Sequence, residues 1–161
     1  MKTVDEWLDE YGDSHKNRTN KIIHWIFIPQ IVFSLIGMLW VIPVPWAREA
    51  LPFVNWGSLF IAFALIWYIR LSIPLFLAFA LLSAGIIVGN HFIFQAVNEN
   101  KLIQLGISGA VFVLSWLGQF IGHEIEGKKP SFFKDLQFFL IGPAWLLHFV
   151  LKKMGLPYKN N

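Results

Sequence analysis

Residues 119–130 read QFIGHEIEGKKP, and the fold turns on how they are taken. A run of roughly twenty apolar residues, the length that crosses ~30 Å of hydrocarbon, ends there. His123, Glu124, Glu126, Lys128 and Lys129 follow at once. The stretch is therefore where a membrane helix meets an aqueous surface. A second histidine-bearing segment, YGDSHKNRTNKIIH at 11–24, stands just ahead of another apolar run near the other end of the chain. The expectation is that these two segments meet at one membrane face as a metal site, with the rest of the chain as the frame that brings them together.

Composition agrees. The 161-residue chain is 56% hydrophobic and 14% charged, against about 25% charged in an ordinary globular domain. Sixteen Phe and eight Trp suit lipid-facing helices with interfacial anchors. No cysteine is present, which excludes disulfides, thiolate metal sites and cysteine nucleophiles. No nucleic-acid motif, internal repeat or low-complexity tract occurs. The N-terminus, MKTVDEWLDEYGD, lacks an apolar h-region. It reads as no cleavable signal peptide, so that the first membrane helix targets itself.

In chain order, Thr3 and Glu6 form a capping box for a short amphipathic helix bearing Trp7, Leu8 and Tyr11, with Gly12 as its stop. The polar segment 14–20 breaks the chain, and Asn17, Thr19 or Asn20 starts a new helix. The first apolar segment is 25–44, kinked at Pro29 and closed by Pro43 and Pro45. After a loop holding Arg48 and Glu49 comes a second span, 53–69. Arg70 marks a tight turn, and Ser72 and Pro74 open a third span. Residues 98–100 and Lys101 separate it from a fourth, 102–122. A fifth apolar stretch, 136–151, is shorter, interrupted at Gly142-Pro143 and flanked by Lys128, Lys129, Lys134, Lys152 and Lys153. It reads as re-entrant or interfacial.

The fold class is thus all-α: one membrane domain over 1–161, a polytopic bundle of four transmembrane helices plus a re-entrant or interfacial C-terminal segment. Residues 1–24 and 123–161 lie at the cytoplasmic side and 25–122 form the core. Lys16, Arg18, Lys21, Arg70 and the five lysines just named fall on one side, Arg48 and Lys101 on the other. That asymmetry places both termini in the cytoplasm.

His15, His24 and His123 consequently share one membrane face. Neutral imidazoles suit Fe, Zn, Cu or Ni. In a continuous helix His15 and His24 would stand ~13.5 Å apart on opposite faces, so a shared site requires the break within 14–20. Asn20 and His24 are i and i+4 on one face. Asn17 and Asn20 are candidates to orient imidazoles. Glu126, three after His123, points the same way if the helix continues. His91 belongs to the opposite end, and the place of His148 depends on that of its segment.

Two motifs carry a resemblance. Tyr11-x-x-x-His15-x-Asn17-x-x-Asn20-x-x-x-His24 followed by Pro29, and Trp116-x-x-Gln119-Phe120-Ile121-Gly122-His123 followed by an acidic residue and Pro130, resemble the signatures of a family of small membrane proteins. That family includes the yeast endoplasmic-reticulum 2-hydroxy fatty acid dioxygenase. The resemblance implies an Fe(II)-dependent dioxygenase that shortens a 2-hydroxy fatty acid by one carbon with O2. It implies His15, His24 and His123 as metal ligands and catalytic residues, supported by Asn17, Asn20 and Gln119. Lys16 stands where eukaryotic members carry a second histidine, and Arg18 where they carry proline, which leaves a further ligand to be supplied by Glu126, His148 or water. The Glu-Gly-Lys-Lys-Pro spacing resembles the bacterial branch and implies an inner membrane. Competing readings are a non-enzymatic lipid-binding or scaffold protein, and a bis-histidine haem protein.

Overall fold

The structure, a computed structural model, describes residues 2–45, 50–127 and 138–159. Among these lie six helices and no strand: α1 (Val4–Gly12), α2 (Arg18–Trp40), α3 (Trp56–Leu71), α4 (Ile73–Ala96), α5 (Lys101–Ile125) and α6 (Ile141–Lys153). The expected positions of Arg48, Glu49, Lys128, Lys129, Pro130, Lys134 and the start of the 136–151 segment fall outside the described residues.

Side-chain caps set the helix boundaries. Thr3 Oγ1 accepts from Glu6 N while Thr3 N donates to the Glu6 carboxylate at 2.7 Å, the capping box expected of α1. Gly12 belongs to α1 rather than following it, because Asp13 N still donates to Asp9 O. Asn17 Oδ1 accepts from Thr19 N and Asn20 N, and so begins α2 well ahead of the apolar run; backbone capping decides that start. Pro29 lies inside α2, which continues past it to Trp40. Ser72 ends one helix and starts the next: its N–H donates to Tyr68 O at 2.8 Å, and its hydroxyl accepts from Leu75 N. The sharp turn after Arg70 follows from that double use.

Three helices, α2, α4 and α5, are long and apolar enough to cross a membrane, which marks a membrane protein. The second expected span, 53–69, starts later than its sequence suggested and runs through Arg70, where a turn was expected, to Leu71. Asn55 caps α3 in a box with Ser58, so the helix starts at Trp56 and has 16 residues, a length of ~24 Å. The Gly142-Pro143 pair does not break the last apolar segment. Both residues sit in the first turn of α6, where a proline has no intrahelical donor to lose, and both are buried.

Packing is closest between α2 and α5. A Cβ added at Gly118 would collide with the Phe27 ring, and one at Gly122 with the Asn20 amide and Ile23. Small residues allow this approach, as they do between membrane helices generally. Deeper in the bundle, Asn90 Nδ2 donates to Phe33 O at 3.2 Å and Ile86 O at 3.0 Å, and Gln104 Nε2 donates to Asn90 Oδ1 at 3.3 Å. These bonds join α2, α4 and α5 where no water competes. Outward faces are apolar: Leu81 and Leu102 are each 79% exposed, as suits lipid contact.

The two chain ends gather at one end of the bundle. Tyr68 donates its hydroxyl to Leu140 O at 2.6 Å, Ser72 donates to Tyr158 O at 2.7 Å, and Tyr158 donates to Asp5 at 3.2 Å. Val4, Leu8 and Tyr11 of α1 share a core with Ile141, Ala144 and Trp145 of α6. Gly122→Val is expected to lower stability by about 1–3 kcal/mol, the usual cost of overpacking. Gly109→Ala, with nothing within 4 Å of the added carbon, should leave it unchanged or raise it by up to about 1 kcal/mol, since alanine is the better helix former. Thermal unfolding midpoints of the two variants in detergent would check both.

Candidate metal centre

The break between α1 and α2 folds His15 back against His24. Their ring centroids are 4.1 Å apart; His15 and His123 are 5.3 Å apart, and His24 and His123 4.9 Å. One ligand nitrogen from each of the three lies within 4.8 Å of the others. All three rings are buried, at 3%, 2% and 8% exposure. Among the described residues this is the group of titratable side chains close enough to hold one metal ion.

Main-chain carbonyls orient two of the rings. His15 Nδ1 lies 2.6 Å from Tyr11 O, and His24 Nδ1 lies 3.0 Å from Asn20 O. A carbonyl oxygen only accepts, so each Nδ1 carries the proton and each Nε2 keeps the lone pair that a metal requires. Both partners stand four residues before their histidine, at the end of one helix and the start of the next. Tyr11 also stacks on His15 at 4.2 Å with the planes 13° apart. Trp145 of α6 closes the same ring from another side, 5.3 Å away. Sequence reasoning named Tyr11 as a motif residue and missed Trp145, whose contact depends on how α6 docks.

The asparagines act differently from expectation. Asn17 caps α2. Asn20 holds His24 through its main-chain oxygen, while its side-chain Nδ2 donates to Ser14 O at 3.1 Å and to Glu126 Oε2 at 3.0 Å. Glu126 also accepts from Lys16 N and Asn17 N, both at 2.8 Å. Its two oxygens thus hold the free N–H groups ahead of α2, at the positive end of that helix. Glu126 is a clasp between the C-terminus of α5 and the loop that carries His15. Burial works to raise its carboxyl, but the bonds from Asn17, Asn20 and Lys16 outweigh that, and the group is held below the usual glutamate range.

His148 stands apart from the cluster. Its Nδ1 faces Trp145 O, and its ring contacts Phe149 at 4.0 Å and Tyr158 at 5.5 Å. His91 packs against Phe53, 4.8 Å away, and Trp40. Gln119, one turn before His123, is buried, and with His24, His123 and Trp116 it lines a cavity of about 40 Å³. The rest of that wall is apolar, formed by Ile28, Ile31 and other residues of its kind.

An all-α membrane protein with a buried trihistidine cluster at the bundle end is the class that fold and site define. Residues 1–154 match the model of the family described as Mpo1-like, 2-hydroxy-palmitic acid dioxygenase Mpo1-like, and the chain belongs to that family. The resemblance drawn from the two motifs is borne out by this match. No curated protein and no solved structure matches the chain.

The Glu126 clasp has a pH signature. A carboxyl whose folded pKa is depressed stabilises above its unfolded pKa and stops doing so as the pH falls through the folded one. At neutral pH Glu126→Ala is expected to cost about 0.5–1.5 kcal/mol, because water replaces the carboxylate at the exposed main-chain donors. The difference from the parent should shrink as the pH falls below the ordinary glutamate range. Unfolding midpoints of both proteins from pH 7 downward would show it.

Proposed function

We propose that the chain is an Fe(II)-dependent dioxygenase that shortens a 2-hydroxy fatty acid by one carbon, with His15, His24 and His123 as the ligands. The observation that carries this reading is the buried set of three imidazoles with two tautomers fixed by carbonyls. The family description supplies the substrate class. The donor set fits a divalent iron: nitrogen ligands without thiolate suit it, and three protein ligands leave positions for a chelating hydroxy acid and O2. Bound there, iron would supply the means of activating O2. Overall, one 2-hydroxy acid and one O2 give the shortened acid, carbon dioxide and water.

The chain's own residues do the rest. Tyr11 O and Asn20 O keep Nε2 of His15 and His24 available. Tyr11 and Trp145 cover the rings and keep water from the cluster. Glu126 holds the His15 loop against α5, and with both oxygens engaged it serves as a clasp and not as a ligand. The cavity beside His24 and His123 takes the polar head of the acid, and its apolar wall along α2 leads the chain toward hydrocarbon. A bis-histidine haem fits less well, since a porphyrin needs its two imidazoles on opposite faces and these rings touch edge to face.

In this reading α3 joins α2, α4 and α5 as a fourth crossing. Both termini and the centre face the cytoplasm of a bacterial inner membrane, supported by the clustering of Lys16, Arg18, Lys21 and Arg70 at one end. Purified protein should carry about one iron per chain by mass spectrometry and convert 2-hydroxypalmitate to pentadecanoate only with iron and O2. Removing one interaction-rich group commonly costs 10²–10³-fold in rate. His24→Ala with His123→Ala should lower both iron content and turnover by about 100-fold or more. Undiminished turnover by that double variant would sink the proposal.

A further inference from the structure

Gln119 is 5% exposed, and its Oε1 has no hydrogen-bond partner among the described residues. Asn20 Oδ1 and Gln104 Oε1 share that condition, but of these three amides Gln119 is the one that lines the cavity. Gln119 stands one helical turn from His123 and on the same face of α5, lining the cavity that His24, His123 and Trp116 share. Gln119 and two of the three imidazoles, His24 and His123, therefore line the same small space.

That space is head-sized. A cavity of about 40 Å³ holds roughly three waters at ~10–15 Å³ each, comparable with the carboxylate and adjoining carbon of an acid and much smaller than an acyl chain. An acid that displaces water from this space must bring a donor of its own to satisfy Gln119. An ionised carboxylate has acceptors only, O2 has no donor, and a methylene has none. The hydroxyl on carbon 2 is the donor that a 2-hydroxy acid brings and an ordinary fatty acid lacks.

Resting on the dioxygenase reading above, we infer that Gln119 Oε1 accepts a hydrogen bond from the 2-hydroxyl of the bound acid and is the residue that selects 2-hydroxy acids over unsubstituted ones. Selection of this kind is steep. A site built to bond a hydroxyl rejects the analogue without it, because its own polar group is left buried and unpaired. The histidine cluster holds the carboxylate end of both acids, so binding of the unsubstituted acid does not depend on Gln119; the extra affinity of the hydroxy acid does.

The test is binding, not turnover. Full-length protein in lipid nanodiscs is loaded with Zn(II), which does not turn over, and titrated calorimetrically with 2-hydroxypalmitate and with palmitate. The parent is expected to prefer the hydroxy acid by about tenfold or more. Gln119→Leu, similar in volume and without the amide, should reduce that preference several-fold, by weakening the hydroxy acid while palmitate holds or tightens, and leave only the part owed to chelation by the hydroxyl. Its zinc content should stay at the parent's value, which a merely structural role for Gln119 would not preserve. If Gln119→Leu loses zinc, Gln119→Met carries the comparison, its flexible thioether filling the same volume. Retention of the parent's preference by the zinc-loaded variant, or equal weakening of both acids, overturns the assignment of Gln119 alone. A parent that binds neither acid overturns the substrate reading as well.

Discussion

The close approach of α2 to α5 is the constraint on which the rest depends. It brings His24 and His123 together, and it exists because α5 presents Gly118 and Gly122 where Phe27 and Asn20 arrive. Lipid tails are as apolar as leucine, so burial alone gives two membrane helices little reason to associate. Contact at short range and hydrogen bonds in a dry interior do. The bonds of Asn90 to Phe33 and of Gln104 to Asn90 pin the deeper end of the bundle, and the Asn20–Glu126 bond pins the end that bears the histidines.

Around that frame the centre is assembled mostly by main-chain atoms. Helix ends leave unsatisfied N–H and C=O groups, and here both kinds are put to use. The carbonyls of Tyr11 and Asn20 take the imidazole protons of His15 and His24, and the amides of Lys16 and Asn17 take the carboxylate of Glu126. The interruption between α1 and α2 is thus what makes the site. A continuous helix would have satisfied those groups internally and carried His15 far from His24.

Much of this was legible in the sequence, for identifiable reasons. Charge scarcity and apolar run length announced the membrane class, since both are whole-chain properties. Thr3, Asn17, Ser72 and Pro74 marked helix ends because capping is local chemistry. The meeting of His15, His24 and His123 could be expected from their shared depth. Less legible were features created by docking. Glu126 looked like a neighbour of His123 and proved to bind a loop 110 positions away. Trp145 lies on a helix whose start the Gly142-Pro143 pair disguised as a break. The start of α3 was placed three residues early because Phe53 and Val54 are apolar, whereas Asn55 decides it. Gln119 was visible as a motif residue, but its buried, unmet oxygen is a property of the folded interior.

The distance along the chain between the two halves of the clasp has a consequence for biogenesis. Lys16 and Glu126 are 110 positions apart, and ribosomes add about 5–20 residues per second. For roughly 5–20 s, on that rate, the segment with His15 and His24 is already made while α5 is not. During that interval the early loop has neither its carboxylate nor its third imidazole. In the proposed metal site, the complete set of ligands exists only after the last long helix has been made, so loading there would belong to the finished bundle rather than to the growing chain.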